Sequence, residues 1–275
     1  MYNRRVVSAE ILIVGNEILL GLIEDTNSNY LCRLVRGMGG RVRQITVVPD
    51  EIDAVAEALR VSLNRSPEMI FTCGGLGPTD DDLTLAGLAK SIGRKLEVNP
   101  DAKEFVERRY RDLESQGHVS SVEMTAARLK MATLPEGASP IENPVGAAPA
   151  VLIDFNETRI LSLPGVPAEM KAVVEGPLQS LLTAVFGTAS YGERELVVSC
   201  GDESELAPIL RHVADMNPGV YIKSRAKEFG ADPRFRILIS SSGPSAEEAD
   251  RLIEKAASDL THLLRDAGII EPPHL

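Results

Sequence analysis

Short apolar runs alternate with amphipathic stretches along the first third of the chain. The apolar runs predict buried strands at residues 9–14, 42–48 and 69–73. Apolar residues at helical spacing predict helices between and after them, at residues 26–36, 51–63 and 82–92. This β-α-β-α-β-α order predicts an α/β fold with a doubly wound, mostly parallel sheet. Ligands bind such sheets at the carboxyl ends of the strands, so the loops 15–25, 49–50 and 74–82 are expected to share one rim.

The middle of the chain is more irregular, and the pattern restarts after Gly187. Helices are predicted over 99–115 and 122–131, followed by a loop-rich stretch with four prolines, a hairpin of strands 150–154 and 159–163, and a helix beginning near Pro167. Beyond Gly187, strands at 196–200, 220–224 and 235–240 and helices at 203–216 and 246–265 predict a smaller α+β module. We therefore predict two domains, residues 1–188 and 189–275.

Charge and composition narrow the range of functions. The formal net charge is −11, the sequence pI is about 5.0, and there is no tryptophan. Nucleic-acid binding depends on Lys and Arg against phosphates, so it is disfavoured as the main function. Three distant cysteines suggest buried free thiols, and no apolar run is long enough to span a membrane. Without a recognisable export signal, the protein is expected to be cytoplasmic.

The most informative stretch follows the third strand. Gly74, Gly75 and Gly77 allow the backbone to approach a phosphate closely, and the next helix would add its positive end. A tight turn capped by Thr79 explains the same pattern equally well. The three adjacent acids, Asp80, Asp81 and Asp82, exceed what a cap requires, and they favour ligation of Mg²⁺ or another hard cation.

Other polar residues allow two interpretations each. Glu17 is either a metal ligand or base, or a helix cap. Asn27, with Asp25 and Thr26, either contacts ribose or phosphate or caps the helix at 26–36. The segment 143–146, with Asn143 and Gly146, is either a binding loop or a turn.

Six short motifs, in this order, resemble those of the CinA family of competence- and damage-inducible proteins. They are Gly15-Asn16-Glu17-Ile18-Leu19-Leu20-Gly21, Asp25-Thr26-Asn27, Val48-Pro49-Asp50, Gly74-Gly75-Leu76-Gly77-Pro78-Thr79 with Asp81-Asp82, Asn143-Pro144-Val145-Gly146, and Leu163-Pro164-Gly165-Val166-Pro167. The resemblance covers nearly the whole chain. It implies a first domain with the molybdopterin-binding fold of the MoaB and MogA type and a second, KH-like domain.

The resemblance also implies an activity and site residues. In the family this domain is associated with metal-dependent hydrolysis of ADP-ribose to AMP and ribose 5-phosphate. It implies a phosphate-binding loop at 74–77, functional acids at Asp82, Asp81 and Asp50, and ligand contacts in the other motifs, from Gly15, Asn16, Asn27, Thr79, Asn143, Gly146, Pro164 and Gly165. Full-length family members carry a further domain that deamidates nicotinamide mononucleotide, and that activity is not expected of these 275 residues.

Three hypotheses follow from the residues and the resemblance together. The first is hydrolysis of the pyrophosphate bond of ADP-ribose or a related nucleoside diphosphate sugar. It would use Mg²⁺, Mn²⁺ or Co²⁺ held by Asp80, Asp81, Asp82 and Glu17. The second is molybdopterin binding or adenylylation in molybdenum-cofactor biosynthesis, and the third is a non-catalytic nucleotide-binding module. A homo-oligomer is expected in each case, because molybdopterin-binding relatives form oligomers.

Overall fold

The computed structural model describes residues 6–187, 190–200, 202–228 and 234–270. It divides into two compact units, one formed by Met1–Val35 with Gly40–Val185 and the other by Arg36–Gly39 with Phe186–Leu275. The domain boundary predicted between residues 188 and 189 falls outside the described residues. Each unit has its own sheet and its own buried core.

The first unit is built on a six-stranded sheet with the strand order β2-β1-β3-β8-β7-β6. Strands β1, β2, β3 and β8 run parallel, and the pairs β8–β7 and β7–β6 are antiparallel. The strands of the first unit are β1 Ser8–Val14, β2 Arg41–Val48, β3 Met69–Cys73, β4 Leu96–Val98, β5 Thr133–Pro135, β6 Ser139–Ile141, β7 Ala150–Phe155 and β8 Thr158–Leu163. The short strands β4 and β5 form a separate antiparallel pair.

Strands β1 and β3 are buried at every position, which shows that both faces of the sheet are covered there. The helices that accompany this sheet along the chain are α1 Asn16–Leu19, α2 Thr26–Gly37, α3 Ile52–Asn64, α4 Thr84–Ile92, α5 Pro100–Ser115, α6 Ala126–Met131, α7 Pro167–Glu175 and α8 Gln179–Phe186. Helices α3 and α4 approach closely, since a Cβ atom at Gly87 would lie 2.5 Å from Cγ1 of Val55. The predicted α/β architecture with a mostly parallel sheet is confirmed.

The second unit contains an antiparallel sheet in the order β10-β11-β9 and two helices. Its elements are β9 Ser190–Ser199, α9 Glu203–Met216, β10 Val220–Glu228, β11 Arg234–Gly243 and α10 Ala246–Asp266. Buried apolar residues of both helices pack on the sheet around Phe235, Ile237 and Ile239. The β-α-β-β-α order is the predicted one, although β9 starts six residues earlier than expected. Within the described part of the chain, no helix is long and apolar enough to cross a membrane.

The structure corrects the sequence-based element limits at two places near the site. The helix predicted to start at Asp82 starts at Thr84, and the one predicted over 122–131 is confined to Ala126–Met131. In both cases side chains make turn hydrogen bonds that compete with helix formation. The amide of Thr79 donates to Asp82, and the amide of Glu123 donates to Ser121.

A buried ion pair joins β1 to the end of α3. Glu10 is 3% exposed and accepts two hydrogen bonds from the guanidinium of Arg65, at 2.7 and 2.5 Å, and one from the hydroxyl of Ser62, at 2.7 Å. The carboxylate therefore has partners for both of its oxygens, although it lies in the core.

Replacing Arg65 by methionine is expected to destabilise the protein by about 3–5 kcal/mol, because Glu10 would remain buried without its cation. Urea denaturation measures the change. The double variant Glu10→Met/Arg65→Met is the control and should recover most of the loss, since it removes the unpaired charge. If Arg65→Met were as stable as the parent protein, the Arg65 guanidinium would not be required to stabilise the buried Glu10 carboxylate.

Candidate functional site

The ends of three parallel strands meet at one point of the first unit. A Cβ atom at Gly74, just after β3, would lie 2.1 Å from the carbonyl oxygen of Val14 at the end of β1. A Cβ atom at Gly165, just after β8, would lie 3.2 Å from the Cα atom of Gly74. Gly74 has φ = 103°, a conformation that other residues rarely adopt. Glycine is therefore required here by backbone packing as well as by conformation.

Thr84, the first residue of α4, holds the glycine loop in place. Its hydroxyl donates to the carbonyl oxygen of Gly74 at 2.7 Å, and its amide donates to that of Gly75 at 3.2 Å. The first amides of a helix have no partner within the helix. The bond from the Thr84 amide to Gly75 therefore occupies an amide that would otherwise be available to a phosphate. The sequence analysis missed Thr84, and the Gly-Gly-x₈-Thr spacing carries no recognisable signal for it.

Only some of the loop amides are free for a ligand. The amide of Gly74 donates to the carbonyl oxygen of Leu163, and that of Thr79 donates to the carboxylate of Asp82. Among the described residues, the amides of Gly75, Leu76 and Gly77 donate to no protein acceptor. These three consecutive amides are the ones in the loop that remain available to an anion.

The loop borders a cavity of about 610 Å³, which is in the usual size range of small-molecule sites. Eleven of the predicted site residues line it: Glu17, Asn27, Asp50, Gly74, Gly75, Gly77, Thr79, Asp81, Asp82, Pro164 and Gly165. The predicted common rim of the three loops is therefore present. The others, Gly15, Asn16, Asp80, Asn143 and Gly146, are not brought to its surface.

The sequence analysis overlooked several residues that also line the cavity. The carboxylate of Glu169, in the first turn of α7, lies two residues beyond the last recognised motif. Tyr110 and Met131 contribute apolar wall, and the guanidinium of Arg128 covers the ring of Tyr110 at 3.7 Å from its centre. The sequence analysis placed Tyr110 only within the predicted helix at 99–115.

Acidic side chains dominate the charge of the cavity. The acids that line it are Glu17, Glu24, Asp25, Asp50, Asp81, Asp82 and Glu169. Among the described residues, no Lys, Arg or His lines it. Lys130 lies just outside and donates to the carbonyl oxygen of Thr79. An anionic ligand therefore needs backbone amides or a cation from solution in order to bind.

Asp50 is placed among other carboxylates. Burial raises its pKa above the ordinary value, and the charges of Glu17, Asp81 and Asp82 raise it further. The amide of Asn16, which donates to Oδ2 of Asp50 at 2.7 Å, opposes this shift. Asn16 thus positions Asp50 and does not face the cavity itself.

Thr79 organises the two other acids of the loop. Its hydroxyl lies within hydrogen-bonding distance of both Asp81 and Asp82, 2.5 Å from Oδ2 of the latter. A hydroxyl has one proton, so it donates to one carboxylate at a time. Its hydrogen bond to Asp81 is the main reason why the pKa of Asp81 is lowered. Thr79 therefore fixes the turn instead of capping α4, as one interpretation of the sequence had it.

The side chains of Asn27 and Asp25 make hydrogen bonds that have mainly structural roles. The Asn27 side-chain nitrogen donates to the carbonyl oxygen of Gly165 at 2.7 Å and to Sγ of Cys73 at 3.2 Å, so it ties α2 to the loop after β8. Asp25 accepts from the amide of Ser28 at 2.9 Å and caps α2. The capping interpretation is correct for Asp25. Burial raises the pKa of the Cys73 thiol to about 12, so it remains protonated at neutral pH.

The described side chains do not form a complete metal site by themselves. Among the described residues, no group of three or more His, Cys, Asp or Glu is arranged to hold a metal ion. Asp81 and Asp82 are close enough to share one hydroxyl, whereas Asp80 is exposed and lies outside the cavity. At most a partial set of ligands is therefore present.

Comparison with known proteins defines the class to which this fold and loop belong. Residues 10–184 match the family model described as "Probable molybdopterin binding domain". The chain belongs to this molybdopterin-binding domain family. The match contains both the glycine loop and the whole cavity.

Individual relatives are similar over nearly the full chain. Protein PAE0875 of Pyrobaculum aerophilum is 40% identical over 258 residues, which are 94% of each chain. Protein PH0439 of Pyrococcus horikoshii is 39% identical over 224 residues, or 82% of this chain and 86% of that protein. The crystal structure of the protein CinA, of unknown function, from Thermoplasma acidophilum is 36% identical. It covers 64% of this chain and 98% of its own, with a TM-score of 0.57.

Proposed function

We propose that the cavity binds a small phosphorylated ligand with a pterin ring, molybdopterin or a close relative of it. The observation that carries the proposal is the row of free amides at Gly75, Leu76 and Gly77, at the carboxyl end of a central parallel strand. The family match supports a pterin as the ring. In this proposal the loop binds the phosphate, and the cavity beyond it accepts the ring.

A divalent cation, Mg²⁺, Mn²⁺ or Co²⁺, would bind together with the phosphate. The crowded carboxylates around Asp50 fit a cation, since burial and then the charges of its acidic neighbours raise the pKa of Asp50. Mg²⁺ usually takes one or two carboxylates and completes its shell with phosphate oxygens and water. Asp81 and Asp82, which both lie within hydrogen-bonding distance of the Thr79 hydroxyl, are the proposed carboxylate ligands. The cation would neutralise phosphate charge and make a bound water more acidic.

The second candidate function is CinA-type hydrolysis of the pyrophosphate bond of ADP-ribose. The position of Asp50 favours it, because a carboxylate with a raised pKa at the cavity wall is suited to take a proton from an attacking water. The amides of Gly75–Gly77 would hold the phosphates, and Asp82 would orient the water or the cation. Adenylyl transfer to molybdopterin would need the same phosphate site and remains within the first proposal.

Titration calorimetry and a turnover assay separate these functions. Binding of 6-hydroxymethylpterin diphosphate and of inorganic pyrophosphate is measured with Mg²⁺ and with a chelator, and ADP-ribose is assayed for release of AMP with each cation. Cation-dependent binding of the pterin without release of AMP supports the first function. Cation-dependent release of AMP supports the second. Binding of nucleotide without turnover under any cation would leave a non-catalytic binding module, and no binding at all would contradict every version.

Two further expectations belong with the proposed function. We propose that the protein is a homo-oligomer, which light scattering would test directly. We also propose that it acts in the cytoplasm on a small molecule and that it does not bind nucleic acid. The net charge of −11 supports the absence of nucleic-acid binding, and a mobility-shift assay with single-stranded RNA would test that absence.

A further inference from the structure

One carboxylate of the cavity, that of Glu169, does not belong to the group of acids around Asp50. The acids that raise the pKa of Asp50 are Glu17, Asp81 and Asp82, which follow β1 and β3. Glu169 belongs to α7 and contacts the segment between β6 and β7. Glu169 is thus held by the β6–β7 segment, whereas Glu17, Asp81 and Asp82 act on Asp50.

A buried asparagine holds Glu169 in position. Asn143 is 1% exposed, and its side-chain nitrogen donates to Oε2 of Glu169 and to the carbonyl oxygen of Ala148, both at 2.9 Å. Its oxygen accepts from the amides of Val145 and Gly146, at 3.1 and 2.8 Å. Every hydrogen-bonding group of this side chain is thus used, so the Glu169 rotamer is fixed by a rigid partner.

Gly146 leaves the space that this arrangement needs. A Cβ atom at Gly146 would lie 1.8 Å from Oε2 of Glu169 and 2.5 Å from the side-chain nitrogen of Asn143. Any other residue would displace the carboxylate or the asparagine. The predicted motif at residues 143–146 is therefore a support for Glu169, which explains why Asn143 and Gly146 do not face the cavity.

The Glu169 carboxylate, which belongs to the cavity lining, keeps accepting capacity. Among the described residues, Oε1 of Glu169 accepts no hydrogen bond. Oε2 accepts one and has a second lone pair, so two adjacent acceptors remain available. The 2-amino-4-oxopyrimidine edge of a pterin offers two adjacent N–H donors, as does the matching edge of guanine. Adenine offers one donor next to an acceptor nitrogen, which a carboxylate would repel.

We propose that Glu169 is the specificity-determining residue that recognises the aminopyrimidine edge of a pterin and rejects adenine. The inference rests on the first proposed function, the binding of a phosphorylated pterin, and deepens it by naming the residue that recognises the ring. It does not extend to the second candidate function, because the base of ADP-ribose is adenine. A site built for a hydrogen-bonding edge discriminates strongly against a ligand that cannot pair with it. Hydrogen bonds to a charged group of this kind correspond to roughly ten- to hundredfold in affinity.

The test compares Glu169→Gln with the parent protein by calorimetry in Mg²⁺. The probes are 6-hydroxymethylpterin diphosphate, the matched pair GDP and ADP, and inorganic pyrophosphate. The amide can still accept from Asn143, but it presents a donor to the donors of the ligand. Affinity for the pterin and for GDP should fall roughly ten- to hundredfold, and affinity for pyrophosphate should not change. The parent protein should prefer GDP to ADP, and the variant should lose that preference.

Glu175→Gln is the matched control, because Glu175 lies on the same helix and its carboxylate accepts from the hydroxyl of Tyr30 at 2.8 Å, outside the cavity. It should bind all probes as the parent protein does. Unchanged pterin affinity in Glu169→Gln would overturn the inference and leave the proposed function standing. A parent protein that binds neither pyrophosphate nor the pterin would overturn the proposed function itself. Unchanged pyrophosphate binding in the variant shows that it is folded.

Discussion

Replacing Gly74 by alanine is expected to destabilise the protein by about 3 kcal/mol or more. The left-handed conformation alone is unfavourable by about 1–2 kcal/mol for a residue with a Cβ atom. The new methyl group would also meet the carbonyl oxygen of Val14 at 2.1 Å, and this atom belongs to the central strand β1 and cannot move aside. Thermal or urea denaturation measures the loss.

Gly93→Ala is the matched control for Gly74→Ala. Gly93 also has a positive φ of 68°, but a Cβ atom there would meet nothing within 4 Å. It should therefore show only the conformational part of the loss, about 1–2 kcal/mol. Equal losses in the two variants would contradict the claim that the ends of β1 and β3 are pressed together at the loop.

Replacing Asp50 by asparagine is expected to stabilise the protein and to impair its function. Asparagine keeps an oxygen for the amide of Asn16 and removes a charge that is repelled by Glu17, Asp81 and Asp82. Cation-dependent binding of pyrophosphate should weaken. If the protein hydrolyses ADP-ribose, turnover should fall by about 10²–10⁴, the usual contribution of a general base.

The gain in stability should depend on pH in a defined direction. The folded-state pKa of Asp50 is raised above 3.8, so its ionisation opposes folding as pH rises from about 3.8 through the raised value. Asp50→Asn should therefore exceed the parent protein in stability at neutral pH and approach it in acid. Asp53→Asn is the control, since Asp53 is exposed and pairs with Lys90 at the surface, where ion pairs contribute little. A loss of stability in Asp50→Asn at neutral pH would contradict the electrostatic account.

The fold of the first unit could be predicted because its signals are local. Apolar runs and helical spacing located β1, β2, β3 and the helices between them, and the order of elements implied the parallel sheet. The short strands β4, β5 and β6 were missed, because three residues among prolines carry no periodicity. The strands β4 and β5 pair with each other across residues 99–132, so only tertiary pairing defines them.

The candidate site was predictable only as far as motifs extend. The glycine loop and Asp50, Asp81 and Asp82 were found from the sequence, and they line one cavity. Which loop amides are free was not predictable, because it depends on tertiary hydrogen bonds: the amide of Gly74 donates to Leu163, and that of Thr79 donates to Asp82. Glu169 was missed for the same reason, since its partner Asn143 lies 26 residues away.

The most direct test of the account is an NMR titration of the ¹⁵N-labelled protein with inorganic pyrophosphate in Mg²⁺. The account predicts that the backbone amides of Gly75, Leu76 and Gly77 shift most, because they have no acceptor within the described protein. The amide of Gly74, bonded to Leu163, should shift less. Saturable shifts elsewhere with Gly75–Gly77 unchanged, or no shifts at all, would contradict the claim that this loop binds phosphate.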